Sequence, residues 1–292
     1  MPELYDLITR HFVGRRQETQ LILAALLSGR HVILEGPPGT SKSTVLQSIV
    51  KEMRVPFIQV TGNQDLTAAK LIGHFDLAQA PAKRYKPEHF QYGPLTWAMR
   101  EGAILYVEEF NRLPGDTASV FVPATAEHAL AVPRLGGVVA KPEFRVVAAM
   151  NPLDDTGTVR VSRTLRDRFC SIYLDYQSRD EEIEIVKRHS GGLPFGLVQT
   201  AVELTRRTRA HQDVRQGASV RGAIDLVMIA RQLLDTPPSG SEDERAALVF
   251  SAALMALRGK LWLAETASRT PEGVIGEIWQ ALAAEWQNNL GL

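Results

Sequence analysis

The sequence predicts an α/β fold: a three-layer αβα domain with a mostly parallel sheet, followed by a smaller all-α domain. Three observations carry this. A glycine-rich stretch, Gly36 to Ser43, lies between a short β-prone apolar run and an amphipathic helical segment. The run Ala103 to Val107 is apolar throughout, as a strand buried on both faces of a parallel sheet should be. After Tyr176 the strand pattern stops and helical periodicity takes over. The boundary falls near Asp175, giving domains at 1–175 and 176–292.

Taken in order, Thr19 to Leu27 repeats apolar residues at helical spacing and ends at Ser28-Gly29, a normal helix stop. His31 to Leu34 is the first strand. Beyond Lys42, the apolar residues Val45, Leu46, Ile49 and Val50 fall on one helical face. Further strands are expected at Phe57 to Val60, Ala103 to Val107, Phe144 to Met150 and Ser171 to Leu174. Alternation of strands with helical segments gives the parallel sheet its crossovers. In the second domain Ser178 precedes an acidic first turn, Arg179-Asp180-Glu181-Glu182, as an N-cap would. Helices are expected next at Phe195 to Arg207, Val220 to Leu234, Glu242 to Leu257 and Pro271 to Asn288. Thr236 to Gly240 is read as a surface loop.

The 292 residues carry 33 Lys and Arg against 33 Asp and Glu. That balance does not supply the positive charge with which nucleic-acid binders meet phosphates, so nucleic acid is not expected as a partner. The single cysteine, Cys170, excludes an internal disulfide and suits a reducing compartment; it reads as a small apolar residue beside Phe169. No apolar stretch is long enough for a membrane span, and the start of the chain lacks the order of a signal peptide. A cytoplasmic location is the expectation.

The chemistry concentrates in five places. Backbone amides of Gly36-Pro37-Pro38-Gly39-Thr40-Ser41-Lys42-Ser43, with Thr44 following, would form an anion nest at a helix N-terminus. Lys42 would neutralise the β- and γ-phosphate oxygens of ATP, and the Ser43 hydroxyl would hold Mg²⁺. Ser41 stands where such loops usually carry glycine. Second, the strand Ile104 to Val107 ends in Glu108-Glu109, one carboxylate for the metal and one to polarise water. Glu108 replaces the usual Asp at the metal position, and its extra methylene adds roughly 1.5 Å of reach. Third, Asn151 lies at the end of the strand Val146 to Met150, where an amide could bond the attacking water or the γ-phosphate; Asn-Pro is also a turn starter. Fourth, Arg168, with Arg166 in reserve, could reach a neighbouring subunit's site, or could simply pair with Asp167. Fifth, Arg221 could report the γ-phosphate from the second domain, or act as an ordinary capping or salt-bridging arginine.

In combination these residues resemble the AAA+ superfamily, and within it the MoxR-type family, from about Val13 to Arg231. Leu34 to Ser43 resembles the family's phosphate loop, Glu108-Glu109-Phe110-Asn111-Arg112 its acidic strand end, and Ala149-Met150-Asn151-Pro152 its sensor strand. Leu165 to Phe169 is similar to the arginine-finger segment, and Gly217 to Arg221 to the sensor of the helical lid. Phe12-Val13-Gly14-Arg15 resembles the N-terminal box, which implies that Val13 and Gly14 lie beside adenine. The resemblance also implies an insert hairpin at Gly73 to Leu95, with Lys83, Arg84, Tyr85 and Lys86 at its tip, flanked by Phe75, Phe90 and Tyr92. A second hairpin at Ala131 to Lys141 would turn at Gly136-Gly137.

In functional terms the resemblance implies an ATP-hydrolysing, Mg²⁺-dependent chaperone. It would assemble as a ring, by family habit a hexamer, and remodel or activate a client protein. The family's clients include metalloenzymes, often reached with a separate chain carrying a von Willebrand A domain. The short length and the Gly-Thr-Ser-Lys-Ser loop resemble members linked to molybdenum-containing carbon monoxide dehydrogenase maturation. Two alternatives stand beside this expectation. One is an assembly switch that binds ATP but barely hydrolyses it, which Ser41 and Glu108 favour; the other is a nucleic-acid motor.

Overall fold

The computed structural model describes residues 2–75, 87–152, 158, 161–235 and 241–285. They divide into two compact units, one of Met1–Pro37 and Ser41–Asp175, the other of Pro38–Thr40 and Tyr176–Leu292.

The first unit is built on five strands: β1 (His31–Glu35), β2 (Phe57–Thr61), β3 (Ile104–Glu108), β4 (Arg145–Met150) and β5 (Phe169–Tyr173). All pair in parallel, in the order β2-β3-β4-β1-β5. Side chains of a strand alternate between faces, and here both faces are covered. Val32, Leu34, Ile104, Tyr106, Val147 and Ala149 meet Ile22, Val45, Leu46 and Ile49 from the helices Arg16–Leu27 and Lys42–Met53. Ile33, Leu105, Val107, Val146, Ala148 and Met150 face the other way, onto Met99, Phe110, Phe121 and Phe144. Each such aliphatic side chain, fully buried, stabilises the fold by about 1.5–3 kcal/mol. β5 is an edge strand, and on it Cys170 follows Phe169 with its side chain exposed.

Two hairpins interrupt the alternation. Gly73–Phe75 pairs antiparallel with Phe90–Tyr92, between the short helix Ala68–Ile72 and the helix Pro94–Glu101. Phe90 meets Phe75 and Tyr92 edge-on at 5.1 Å each, and the Arg100 guanidinium lies 4.0 Å over Tyr92. The aromatics expected to flank the tip therefore staple the base of the hairpin. The expected tip residues Lys83 to Lys86 lie outside the described residues, as does the loop Thr236 to Gly240. The second hairpin joins Ala129–Val132 to Gly136–Val139. Its turn is Pro133 to Leu135, not Gly136-Gly137: Arg134 takes the left-handed conformation (φ 66°), and Gly136 (φ 102°) opens the returning strand.

The second unit packs the helices Arg179–Ser190, Phe195–Ala210, Val220–Asp235, Glu242–Leu257 and Pro271–Glu285 around Val198, Leu204, Leu226, Ala253 and Ile275. Ser178 forms the expected N-cap as a full capping box with Glu181, and Ser241 repeats it with Glu244. A short antiparallel pair, Val214–Gln216 with Trp262–Leu263, departs from the all-helical expectation; it is too brief to leave a periodic pattern. Glu182, almost wholly buried, meets Arg206 at 3.0 Å and Arg209 at 2.8 Å, and Arg209 stacks 3.8 Å over Tyr176.

Removing one partner from a buried ion cluster leaves charge uncompensated, so Glu182→Ala should destabilise by about 3–5 kcal/mol in denaturant titrations. A second expectation concerns His31. Its Nδ1 accepts from the Val146 N–H at 2.9 Å, between the rings of Phe144 and Phe169. Burial, aided by His128 and Arg145, lowers its pKa from 6.5 to about 4. The ring is thus neutral when folded, while the unfolded chain takes up a proton below pH 6.5. Stability present above pH 6.5 is lost as pH falls towards 4, by about 3 kcal/mol at most. Thermal midpoints between pH 7 and 4.5 should fall less steeply in His31→Asn than in the wild type.

Candidate nucleotide site

The site begins at the carboxyl end of the sheet, where ligands of open parallel sheets bind. The backbone there is closely held. Gly36 N–H donates to the Met150 carbonyl of β4 (3.2 Å), and Leu174 N–H, just past β5, donates to the Glu35 carbonyl (2.8 Å). Gly36 has φ 148°, and a Cβ on it would stand 2.1 Å from the Leu174 carbonyl oxygen, so no other residue fits. The loop then turns through Gly39 (φ 75°) and Ser41 (φ 67°, ψ 20°) into the helix Lys42–Met53. Ser41 holds in the left-handed region a conformation that costs a non-glycine residue about 1–2 kcal/mol. Its side chain makes no cap bond, which leaves the first-turn amides to an anion.

Lys42 Nζ donates to the carbonyls of Gly36 and Pro37, both at 2.8 Å, so the ammonium folds back over the loop. A phosphate oxygen would offer it stronger, charge-assisted bonds than these neutral carbonyls. Ser43 Oγ donates to Glu108 Oε1 at 2.5 Å. The pleat explains why: Glu108 shares the face of Ile104 and Tyr106, which is turned towards the helix carrying Ser43. The longer Glu reaches that hydroxyl directly. The pair is a hard-oxygen set with room for further ligands. Among the described residues no cluster of three His, Cys, Asp or Glu could cage a metal by itself. Mg²⁺, which binds through one or two carboxylates plus phosphates and waters, suits such a partial set.

Glu109 is placed differently. It takes the left-handed conformation (φ 50°), opens the short turn Phe110–Arg112, and pairs with Arg112 at 3.3 Å. Asn151 follows β4, and its carbonyl accepts from the amide of Asn111 at 3.2 Å. Asn111 is buried and carries no role in the sequence reading; an Asn-Arg pair two residues past an acidic strand end is the available signal. Just after Val13 and Gly14 (φ 69°), left-handed, buried Arg15 donates to the Asp175 carbonyl and pairs with Glu18 at 2.7 Å. Arg15 thus anchors the N-terminal box, a part its position in that box did not advertise.

The arginines separate. Arg168, at the amino end of β5, is exposed, and among the described residues it forms no ion pair with Asp167 or any other acid. Arg166 is engaged within its own chain: it donates to Glu35 Oε1, while Ser171 Oγ donates to Glu35 Oε2 at 2.8 Å. The reserve finger is therefore occupied in the chain as it stands. Arg221 lies exposed in the first turn of the helix Val220–Asp235, in the second unit.

A family model described as an AAA domain of the dynein-related subfamily matches residues 31–169. The chain is 33% identical over 202 residues to the protein CbbQ of Hydrogenophilus thermoluteolus, covering 68% of this chain and 72% of that one. It is 30% identical over 230 residues to NorQ of Paracoccus denitrificans, covering 76% and 81%. It is also 30% identical over 219 residues to the gas vesicle ATPase GvpN of Haloferax mediterranei, of whose length the match spans only 63% against 69% of this chain. Among solved structures it is similar in fold to the RuvB Holliday junction branch migration motor of Thermotoga maritima. That match has a TM-score of 0.55 and 20% identity, over 95% of this chain and 83% of that one.

The close approach at Gly36 yields a direct expectation. Gly36→Ala should abolish binding of a fluorescent ATP analogue, and Lys42→Ala should weaken it by at least about tenfold, the equivalent of one charge-assisted bond.

Proposed function

The chain belongs to the MoxR-type AAA+ ATPases, and from that premise we propose that it binds ATP with Mg²⁺ and hydrolyses it within a ring of like subunits. The observation that carries the reading is the Ser43–Glu108 hydrogen bond at the foot of the Gly36–Ser43 loop. In it the two groups assigned to the metal are already joined.

Loop amides and Lys42 hold the phosphates, and Val13 and Gly14 border the base. Ser43 and Glu108 hold Mg²⁺, which supplies neutralisation of the phosphate charge when bound. Glu109 leaves Arg112 to take a proton from water that Asn151 orients. Arg168, exposed and without an ion pair among the described residues, acts on the nucleotide of an adjacent copy, so turnover requires assembly. Arg221 reports nucleotide state from the helical lid. The work is delivered to a client protein, with metalloenzyme maturation as the client class and a separate von Willebrand A domain chain as the adaptor. The hexameric ring and the cytoplasmic location belong to the same proposal.

One observation favours a second reading, an assembly switch with little hydrolysis. The Glu109 carboxylate is tied to Arg112 at 3.3 Å. The two readings separate in ATP turnover per subunit measured against protein concentration. The ring ATPase predicts specific activity that rises cooperatively. Glu109→Gln should lower it by about 10²-fold or more, and Arg168→Ala by about 10³-fold, both with nucleotide binding intact. Negligible turnover at every concentration, with tight binding, would favour the switch. Full activity in Arg168→Ala would remove that residue from the site.

A further inference from the structure

We propose that Tyr106 is a positioning residue of the magnesium site: its buried hydroxyl donates to Ser43 Oγ and fixes the direction in which that oxygen offers its last lone pair. The inference rests on the reading of Ser43 and Glu108 given above. Tyr106 looks like one more apolar core residue of the acidic strand, and no role is otherwise assigned to it.

The argument is one of hydrogen-bond valence. A serine hydroxyl has one hydrogen and two acceptor lone pairs. The Ser43 hydrogen is used towards Glu108 Oε1 at 2.5 Å. Tyr106 OH lies 3.0 Å from the same Ser43 oxygen. With the Ser43 hydrogen already committed, the tyrosine must be the donor. One lone pair of Ser43 is then filled by Tyr106 and one remains, with the hydroxyl rotor held from two sides. A free serine rotor spreads its lone pairs over three staggered positions; this one is confined to a single orientation before any ligand arrives.

The tyrosine is itself immobilised. It is wholly inaccessible to solvent, and its ring lies against Phe57 with centroids 6.3 Å apart and planes 24° from parallel. Residues 104, 106 and 108 share one face of β3, so the strand that delivers the carboxylate delivers the phenol with it. A tyrosine present only for packing would need some partner for its buried hydroxyl. The choice of Ser43 as that partner is what the experiment tests.

Tyr106→Phe removes the donor and keeps the ring. Binding of a fluorescent ATP analogue is measured first in EDTA and then against added Mg²⁺, for the wild type, Tyr106→Phe, Ser43→Ala and the double variant. The expected result is unchanged affinity in EDTA and a half-saturating Mg²⁺ concentration raised about two- to tenfold, the equivalent of one net hydrogen bond. In the Ser43→Ala background the second change should add nothing. Equal Mg²⁺ requirements in wild type and Tyr106→Phe would overturn the proposal, as would an additive loss in the double variant, since either makes Tyr106 a packing residue only. Failure of the wild type to bind the analogue at all would instead overturn the nucleotide reading on which the proposal stands. Thermal midpoints recorded in EDTA separate a general loosening of the core from the metal-specific effect.

Discussion

The approach of the backbone at Gly36 to its neighbours is the constraint on which the rest of the first unit depends. β1 can run between β4 and β5 only if its exit bends sharply at their carboxyl ends. The bend is held by Gly36 N–H on Met150 and Leu174 N–H on Glu35. Several segments assigned to chemistry meet at those bonds. The loop begins there, Asn151 follows Met150, and Arg15 is fastened to Asp175 one residue past Leu174. The same β1 exit places Glu35 where Arg166 and Ser171 can meet it. A single left-out Cβ thus sets the spacing of four chain segments.

The pleat then sorts the acidic strand. Alternation sends Glu108 towards Ser43 and would send Glu109 to the far side. The left-handed turn at Glu109 breaks that alternation and hands its carboxylate to Arg112. Residues in such sparsely populated backbone regions persist only where surrounding structure over-determines them. Here the Gly62 N–H bond to the Glu108 carbonyl, at 2.7 Å, supplies part of that hold. Two adjacent carboxylates of the same type therefore differ in partner and exposure for reasons that lie in the backbone.

Much of the fold was legible because its signals are periodic or singular. Five strands appeared as β-prone runs, the helix after Lys42 as a 3.6-residue stripe, and the loop as glycines at a strand–helix junction. Ser43 and Glu108, which a hydrogen bond joins, each belong to a recognisable pattern. What escaped notice carries no such pattern. Tyr106 reads as core, since an aromatic in a buried strand does not disclose where its hydroxyl ends. The ties from Arg166 to Glu35 and from Arg15 to Asp175 join residues more than a hundred positions apart. The hairpin turn was misplaced by counting glycines, when the chain reverses at Arg134 and uses Gly136 only to re-enter the strand.

The base of the insert hairpin has a consequence for how such a chain can diversify. Gly73, whose Cβ would meet the Gln91 carbonyl oxygen at 2.1 Å, and the Phe75–Phe90–Tyr92–Arg100 stack close the hairpin independently of what lies between them. The two flanking helices are joined through this closure by Gly93 N–H on the Ile72 carbonyl at 3.0 Å. Residues between the two strands can therefore change in number or kind without altering the pairing that joins the flanking helices.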